Sequence, residues 1–465
     1  MMKKHLFLIV IVHVCNSETP DFIIQAFVST IKRNIAEAIA RSSTVGRSNL
    51  LAKTLNPSTW MPQAIARALG PVSFHISSDP NSGKFIDQAV KQYREASKNM
   101  DAILEIDELI VKYGFPVEVH RALTQDGYEL TMYRIPSRGS PVFLMHGLLG
   151  SSDDFIVAGR ESALAYLLAD EGYDVWLGNA RGNKHSLSHT RFKPSEAEFW
   201  DFSFHEIGVF DLPAMIDYVL DETNETALTY IGHSQGTTSF FVMASEKPEY
   251  NNKIHLMIAL APVAFMSNVK SPIVRLMAPG TFVLHGFSKS LGMHEFLPDN
   301  KFVRVMKLLL CEGGPIAEIV CNNALFLVAG FDYQQLNITN LPVILGHVPS
   351  GASIKQFTHY GQGVLSDEFR QFDYGFQGNL KRYGEGVPPT YELENVMAPV
   401  MLFYSEADWL AHTKDVARLH QRLGSVVDTY KVPFDEFSHL DFIMARDVKE
   451  LVYNRVLKVM RAVRT

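Results

Sequence analysis

The sequence lacks the features that mark several large classes of protein. Its 465 residues carry a formal net charge of −7 and no block of lysine and arginine, which argues against a nucleic-acid partner. It contains no internal repeat, no glycine-rich nucleotide-binding loop and no group with metal-ligand spacing, so we expect neither a cofactor nor a metal. Beyond the first residues no apolar run reaches the roughly 20 residues that a membrane helix requires, so we predict no transmembrane segment.

Apolar residues are abundant instead. With 47% hydrophobic and 20% charged residues, the composition predicts a sizeable buried core. The length allows about three domains, but α/β folds often extend over such a length as one core.

One pentapeptide has the pattern of a nucleophile elbow, because Gly232 to Gly236 read G-x-S-x-G. The β-branched run Leu228–Ile231 precedes it and the helix-compatible run Thr237–Ala244 follows, as a strand, tight turn and helix require. Flanking glycines leave room for a serine in a strained turn that exposes its hydroxyl above the sheet. Ser234 is therefore the candidate nucleophile, with an ordinary glycine-rich turn as the alternative.

A serine nucleophile needs a histidine base and an orienting acid. In enzymes that have a nucleophile elbow, these residues follow the serine in the chain order Ser, Asp/Glu, His. The apolar run Pro399–Tyr404 predicts a short buried strand, and Asp408 lies just past its end. The run Val426–Val432 predicts another strand, and the turn after it leads to His439. Asp408 and His439 are the candidate acid and base.

Neighbouring residues supply alternatives for both roles. Among the 17 histidines, His233 should point away from the hydroxyl and serve packing, and His420 lies in a helix-like run that favours a solvated position. Glu406 and Asp415 are the alternative acids. Asp441 is expected to brace the histidine loop or to face solvent.

A second glycine-bearing turn follows an early strand. The apolar run Val142–Met145 leads into His146–Gly150, where enzymes of this architecture place one of two backbone donors for an oxyanion. We predict that the amide of Leu148 is the first donor and that the amide of Gln235, just after the candidate nucleophile, is the second. An ordinary strand-to-loop glycine is the alternative.

These residues together carry a resemblance to a known family. The chain resembles the acid lipase family of α/β-hydrolases, which includes gastric lipase, lysosomal acid lipase and secreted insect lipases. The matching blocks, which span residues 104 to 460, are Tyr128–Pro136, His146–Gly150, Gly172–Gly182, Phe199–Phe204, Gly232–Thr238 and His439–Ile443.

The resemblance implies an α/β-hydrolase core with a mostly parallel central sheet and an inserted, mainly helical cap or lid. It also implies a secreted serine lipase that hydrolyses carboxylic esters of lipids, triglyceride or steryl ester, at a lipid–water interface through an acyl-enzyme. The implied catalytic residues are Ser234, Asp408 and His439, and the implied oxyanion donors are the amides of Leu148 and Gln235.

The motifs and the apolar runs divide the chain into segments. The long stretch between the predicted strand His255–Leu260 and Pro399 has no equivalent in a minimal hydrolase core and is rich in apolar groups, so we interpret it as the cap. We predict a signal peptide over residues 1–17, an N-terminal extension over 18–103, the first core part over 104–264, the cap over 265–395 and the second core part over 396–465.

The N-terminus has the pattern of a secretory signal. Lys3 and Lys4 precede the short apolar run Leu6–Val14, and Ser17 offers a small residue for cleavage, with an uncleaved anchor as the alternative. The extension carries apolar residues at helical spacing between Ile24 and Ile39, which suits a lipid-surface helix, a propeptide or a helix packed on the core. We expect a secreted or lysosomal protein.

A secretory route sets expectations for cysteine and for glycosylation. Loss of Cys15 with the signal leaves Cys311 and Cys321, an even count that favours a disulfide, and the resembled family carries a short-range disulfide in its cap. Asn224 and Asn337 lie in N-x-[ST] sequons and are expected to carry glycans.

Two other functions stay open. The first is another acyl-transfer enzyme on the same triad, such as a different lipid ester hydrolase or a thioesterase. The second is a non-catalytic lipid-binding protein descended from a lipase, against which the three intact triad positions argue. The sequence predicts no acyl-chain preference, pH optimum or oligomeric state.

Processing of the N-terminus gives the first testable prediction. Expressed in a secretory host, the protein should leave the cytoplasm, begin near Glu18 and lose mass on treatment with a glycosidase, because the charged-then-apolar start and both sequons match that route. N-terminal sequencing and mass spectrometry measure both properties. A mature protein that keeps Met1 or Met2 would contradict the signal peptide.

Overall fold

The computed structural model describes residues 99–271, 274–275, 278, 294–296, 332, 334–337 and 339–463. The predicted signal peptide, the extension up to residue 98 and both cysteines, Cys311 and Cys321, lie outside these residues. The expectations for those segments therefore stay predictions.

A central sheet organises the described chain. Its strands are β1 Glu118–Leu123, β2 Tyr128–Ile135, β3 Pro141–Met145, β4 Asp174–Leu177, β5 Ser188–His189, β6 Leu228–His233, β7 Ile254–Leu260, β10 Val400–Tyr404 and β11 Val426–Lys431, while β8 Glu295–Phe296 and β9 Ala352–Ser353 form a separate pair. The strands of the central sheet follow the order β1-β2-β4-β3-β6-β7-β10-β11, and β5 pairs with β2 outside this path. The pairs β1–β2 and β2–β4 are antiparallel, and every pair from β4 to β11 is parallel.

The sequence of each strand matches its place in the sheet. Central parallel strands are covered on both faces and therefore consist of continuous apolar residues. All five residues of β3 are buried, and so are the first four of β10. The outer strand β11 is mostly exposed, and its sequence is correspondingly polar. The expected α/β-hydrolase core with a mostly parallel sheet is confirmed.

Helices cover the sheet and fill the connections between strands. They are α1 Ile106–Lys112, α2 Leu164–Asp170, α3 Phe204–Glu206, α4 Leu212–Thr223, α5 Gln235–Glu246, α6 Leu341–His347, α7 Ile354–Ser366, α8 Gly375–Tyr383, α9 Thr413–Arg422, α10 Asp441–Met444 and α11 Asn454–Val463, with a π-helical turn, Ile207–Asp211, joining α3 to α4. Among them, α5 is buried along almost its entire length, from Gln235 to Ser245, because it packs behind the strand that precedes it.

The segment between β7 and β10 is where we predicted the cap. In the residues that the structure describes, it supplies helices α6 to α8 and no strand of the central sheet. Part of it lies directly on the core, since the Ser353 hydroxyl donates to the Phe202 carbonyl at 2.5 Å and the Lys355 ammonium bonds the Asp201 carboxylate at 2.9 Å. The exact boundaries of the cap stay a prediction.

The parallel strands bring their carboxyl ends to one edge of the sheet. Met145 of β3 pairs with Gly232 of β6, and Leu260 of β7 pairs both with His233 of β6 and with Phe403 of β10. The loops after these strands therefore meet at one place, which is where ligands bind in open α/β sheets. No helix of the described chain is both long and apolar enough to cross a bilayer.

Candidate active site

Ser234 occupies a strained turn between β6 and α5. Its φ of 51° and ψ of −115° lie in a region that non-glycine residues rarely adopt. The amide of Ser234 donates to the Leu260 carbonyl at 3.0 Å, and the Ser234 carbonyl accepts from the amides of Thr237 and Thr238. Bonds on both sides hold the turn, which lies between a strand and a helix as the sequence pattern predicted.

Three glycines let their neighbours approach closely, and at Gly232 and Gly236 the contact leaves no room for a Cβ. A Cβ on Gly232 would lie 2.8 Å from the Gly236 carbonyl carbon, and one on Gly236 would lie 2.3 Å from the Met145 carbonyl oxygen. A Cβ on Gly147 would lie 3.1 Å from the Ser234 Cβ. The elbow is thus pressed against the end of β3, and the HGLLG turn lies beside the candidate nucleophile.

The structure brings the three candidate catalytic side chains into one hydrogen-bonded chain. His439 Nε2 lies 2.8 Å from the Ser234 hydroxyl, and His439 Nδ1 lies 2.8 Å and 3.1 Å from the two carboxylate oxygens of Asp408. Asp408 is fully buried, and its Oδ1 accepts from the amides of Leu410 and Ala411 at 2.8 Å each. These bonds fix the carboxylate and direct it at the imidazole.

The alternative acids have other partners. Glu406 is half exposed and forms an ion pair with Lys431 at 2.9 Å. Asp415 is buried but accepts from the Asn268 amide at 2.9 Å and from its side chain at 2.7 Å. Neither carboxylate contacts His439, so Asp408 is the acid that the geometry favours.

The other histidines also have the places that the sequence favoured. His420 is exposed. His233 is buried, and its Nε2–H donates to the His439 carbonyl at 3.1 Å. Burial, with a smaller contribution from the neighbouring His439, lowers the pKa of His233 to about 3, so the ring stays neutral. His233 therefore supports the loop that carries the candidate base, a contact that the sequence did not reveal.

The HGLLG turn beside Ser234 has a defined backbone conformation. Leu149 adopts a φ of 64°, and the Gly150 amide closes the turn on the Gly147 carbonyl at 3.1 Å. In the part of the chain that the structure describes, the amides of Leu148 and Gln235 donate to no other protein group. Both donors are thus available to a ligand, which is the property that the predicted role requires.

His146 holds this turn in place. Its Nδ1–H donates to the Gly147 carbonyl at 2.7 Å, and its Nε2 accepts from the Ala180 amide at 3.1 Å. Complete burial lowers the pKa of His146 to about 4, so the neutral tautomer needed for these two bonds persists at higher pH. The role of His146 was not predicted, although it belongs to the motif.

Two further contacts around the site join residues that are far apart in the chain. The Gln235 side-chain amide donates to Gln356 of α7 at 2.7 Å. Just past the HGLLG turn, buried Asp153 bonds His185 and His347 at 2.7 Å each, and these bonds, opposing burial, hold the pKa of its carboxyl well below the ordinary value. Neither Gln356 nor His347 belongs to a local motif, so only the folded chain identifies them.

The two predicted glycosylation sites lie at the surface of the described chain. Asn224 is exposed and ends α4 in a left-handed conformation with a φ of 53°. Asn337 is partly exposed and accepts from the Thr339 hydroxyl at 2.7 Å. Both side chains are accessible enough for the predicted modification.

The described residues contain no group of three or more His, Cys, Asp or Glu that could hold a metal ion.

Comparison with known proteins identifies the family. Residues 140–293 match the model of the α/β-hydrolase fold, and residues 106–159 match that of a partial α/β-hydrolase lipase region. Lipase 1 of Drosophila melanogaster is 43% identical over 380 residues, which cover 81% of this chain and 84% of that protein. The chain belongs to the acid lipase family of α/β-hydrolases.

Mammalian members of the acid lipase family match over nearly their whole length. Gastric triacylglycerol lipase of Bos taurus is 37% identical, with 78% of this chain and 93% of that protein covered. Human lysosomal acid lipase/cholesteryl ester hydrolase is 36% identical, with 77% and 91% covered. The resemblance stated from the motifs is confirmed, and this acid lipase is a carboxylic ester hydrolase.

The acid of the triad gives the second prediction. Asp408→Asn should lower kcat by a factor on the order of 10⁴, because an amide beside Nδ1 favours the wrong imidazole tautomer. Glu406→Gln and Asp415→Asn should keep most of the activity, since these side chains bond elsewhere. Steady-state kinetics on a soluble ester compare the three variants. Near-normal kcat in Asp408→Asn with a collapse in either control would contradict the assignment.

Proposed function

We propose that this acid lipase hydrolyses lipid esters through an acyl-enzyme on Ser234. The observation that carries the proposal is the unbroken chain from Asp408 through His439 to the Ser234 hydroxyl, with a 2.8 Å bond at each step. A hydroxyl becomes a useful nucleophile at neutral pH only when a base is positioned to take its proton. That requirement is met here without any rearrangement.

Each side chain then has one task. Ser234 Oγ attacks the ester carbonyl carbon while His439 Nε2 takes its proton, and Asp408 stabilises the imidazolium that forms. His439 next donates that proton to the leaving alcohol, which leaves the acyl group on Ser234. Water, deprotonated by the same imidazole, attacks the acyl-enzyme and releases the fatty acid.

The oxyanion of each tetrahedral intermediate needs its own donors. We assign the amides of Leu148 and Gln235 to this task. Gln235 follows Ser234 in the chain, Leu148 belongs to the HGLLG turn beside Ser234, and neither amide has an acceptor among the described residues. Fixed amide dipoles lose nothing to reorganisation when the charge develops, so they stabilise the transition state more than the ground state.

The substrate class follows from the relatives. Their names specify triacylglycerol and cholesteryl esters, so we propose one or both as substrates, met at a lipid–water interface by a secreted or lysosomal protein. The predicted cap over residues 265–395 would supply the apolar acyl site, because a water-insoluble chain must be enclosed for its ester to reach Ser234.

The nucleophile gives the third prediction. Ser234→Ala should lower kcat on triolein, cholesteryl oleate and a short soluble ester alike, by a factor on the order of 10⁶. Ser239→Ala is the matched control, because Ser239 is a buried serine of α5, the helix that follows Ser234, and its hydroxyl has no hydrogen-bond partner in the described chain. Rates should be measured between about pH 4 and 9 to include acid and neutral optima.

The relative rates on the three esters identify the preferred substrate. Wild-type protein that hydrolyses none of them would contradict the proposed function. Full activity of Ser234→Ala would contradict the proposed nucleophile, because no other described side chain is hydrogen-bonded to His439 Nε2.

A further inference from the structure

Two buried carboxyl groups lie beside the turn that carries His439. Asp441 follows His439 by two residues at the start of α10, and its Oδ2 accepts from the Ser438 amide at 2.5 Å. Asp332 comes from the segment between β7 and β10, and its Oδ1 accepts from the amides of Gln334 and Gln335 at 2.9 Å each. We call Asp332 and Asp441 the carboxyl pair.

The carboxyl pair has an unfilled hydrogen-bond position. Asp332 Oδ2 is buried and accepts no hydrogen bond from an N–H or a hydroxyl group in the part of the chain that the structure describes. The Asp441 carboxyl is a side-chain neighbour of Asp332 within hydrogen-bonding reach. Two carboxylates cannot hydrogen-bond each other, whereas a carboxylic acid donates to a carboxylate. A single proton on Asp441 can therefore supply the hydrogen bond that the buried Asp332 carboxylate lacks.

The electrostatics of the site agree with a shared proton. Burial and the neighbouring charge of Asp332 raise the pKa of Asp441 to about 8, and burial also raises the pKa of Asp332. Two adjacent buried carboxyls lose their protons in separate steps that belong to the pair. Between these two steps the pair holds one proton and one negative charge.

The segment that carries Asp332 is fastened to the chain after His439. The Gln335 carbonyl accepts from the Arg446 amide at 2.8 Å, and the Gln335 side chain exchanges two hydrogen bonds with Asp447. Leu336 and Ala445 form an antiparallel bridge. These contacts hold the Asp332 segment against the chain that follows Asp441. The two carboxyls therefore cannot separate by movement of that segment alone, and repulsion between them acts on the short turn from Ser438 to Asp441.

We propose that the carboxyl pair shares one proton and thereby positions His439, so that loss of this proton sets the alkaline limit of activity. The proposal rests on the proposed function, because it assigns the pair a role in presenting the base to Ser234. Asp332 and Asp441 are positioning residues, since neither touches the reacting atoms. When both ionise, their repulsion strains the Ser438 bond and displaces the His439 turn.

Other charged groups near the pair are already engaged. Glu436, which precedes His439 in the same loop, accepts from the Gln334 side chain at 2.7 Å and raises the pKa of Asp332. Arg446 and Asp447 form an ion pair at 2.8 Å on the exposed side. His439 itself bonds Asp408.

The helical turn Ser152–Phe155 packs against α10 and carries two more acids. Asp153 is paired with Lys184 and two histidines. Asp154 is a second carboxyl whose pKa burial raises, to about 7. Asp154 is therefore the competing source of an alkaline limit, and the experiment must separate it from the pair.

The fourth prediction tests the carboxyl pair by replacing one carboxyl with a carboxamide, whose N–H donor takes the place of the shared proton. In Asp332→Asn, the side-chain N–H donates to Asp441 at every pH, so the variant needs no shared proton. In the wild type, kcat on a soluble ester should fall about tenfold per pH unit above pH 8, which is the alkaline limb of the profile. In the variant, this limb should begin at a pH that is higher by about one unit or more. Asp154→Asn is the matched control and should keep the wild-type limb.

A stability measurement provides a readout independent of activity. The native pair holds a proton that the unfolded chain releases near the ordinary aspartate pKa, so wild-type stability falls as pH rises from about 4 to about 8. The melting temperature of Asp332→Asn minus that of the wild type should therefore rise across this range and then level off. Asp441→Asn, whose amide would donate to Asp332 Oδ2, repeats both tests if Asp332→Asn does not fold.

Each outcome decides the proposal. An alkaline limb that is unchanged in Asp332→Asn and in Asp441→Asn overturns it, and so does a limb that moves only in Asp154→Asn. Complete inactivity of the wild type on esters would instead contradict the proposed function, while the difference in melting temperature would still show whether the pair shares a proton.

Discussion

The strained backbone at Ser234 is the constraint on which the rest of the site depends. A serine with a φ of 51° costs about 1–3 kcal/mol unless its surroundings hold it there. The surroundings are the parallel strands β3, β6 and β7, whose ends meet at the turn, and the glycines that let them approach. Sheet packing thus stabilises a conformation that presents one hydroxyl, and the neighbouring HGLLG turn carries Leu148, whose amide is one of the two proposed oxyanion donors.

Polar contacts between distant segments complete the arrangement. Asp408, His439 and Gln356 come from three different connections, and the contacts that hold them are buried. In a site of low dielectric, each such bond is strong when made and costly when unmet. Because an unpaired or charged group is costly when buried, His146 and His233 stay neutral and the buried Asp332 oxygen requires a hydrogen-bond donor, which we propose is the shared proton.

The sequence alone predicted the elements whose signal is local. The G-x-S-x-G pattern, strand ends followed by Asp408 and His439, and the HGLLG turn each combine a backbone requirement with a chemical one in a few residues. Contacts such as Gln235 with Gln356 and Asp153 with His347 join residues more than 100 positions apart, and no periodicity encodes them. Asp441 was expected to brace the histidine loop or to face solvent; it is buried and bonds the Ser438 amide, and its neighbour Asp332 was visible only in the fold.

A crystal structure of the protein inactivated by an alkyl phosphonate would test the nucleophile and both oxyanion donors at once, because the adduct resembles the tetrahedral intermediate. We expect a covalent bond from phosphorus to Ser234 Oγ and a phosphoryl oxygen about 2.7–3.1 Å from the amides of both Leu148 and Gln235. Phosphorus bound to any other residue, or a phosphoryl oxygen that faces away from both amides, would contradict the proposed mechanism.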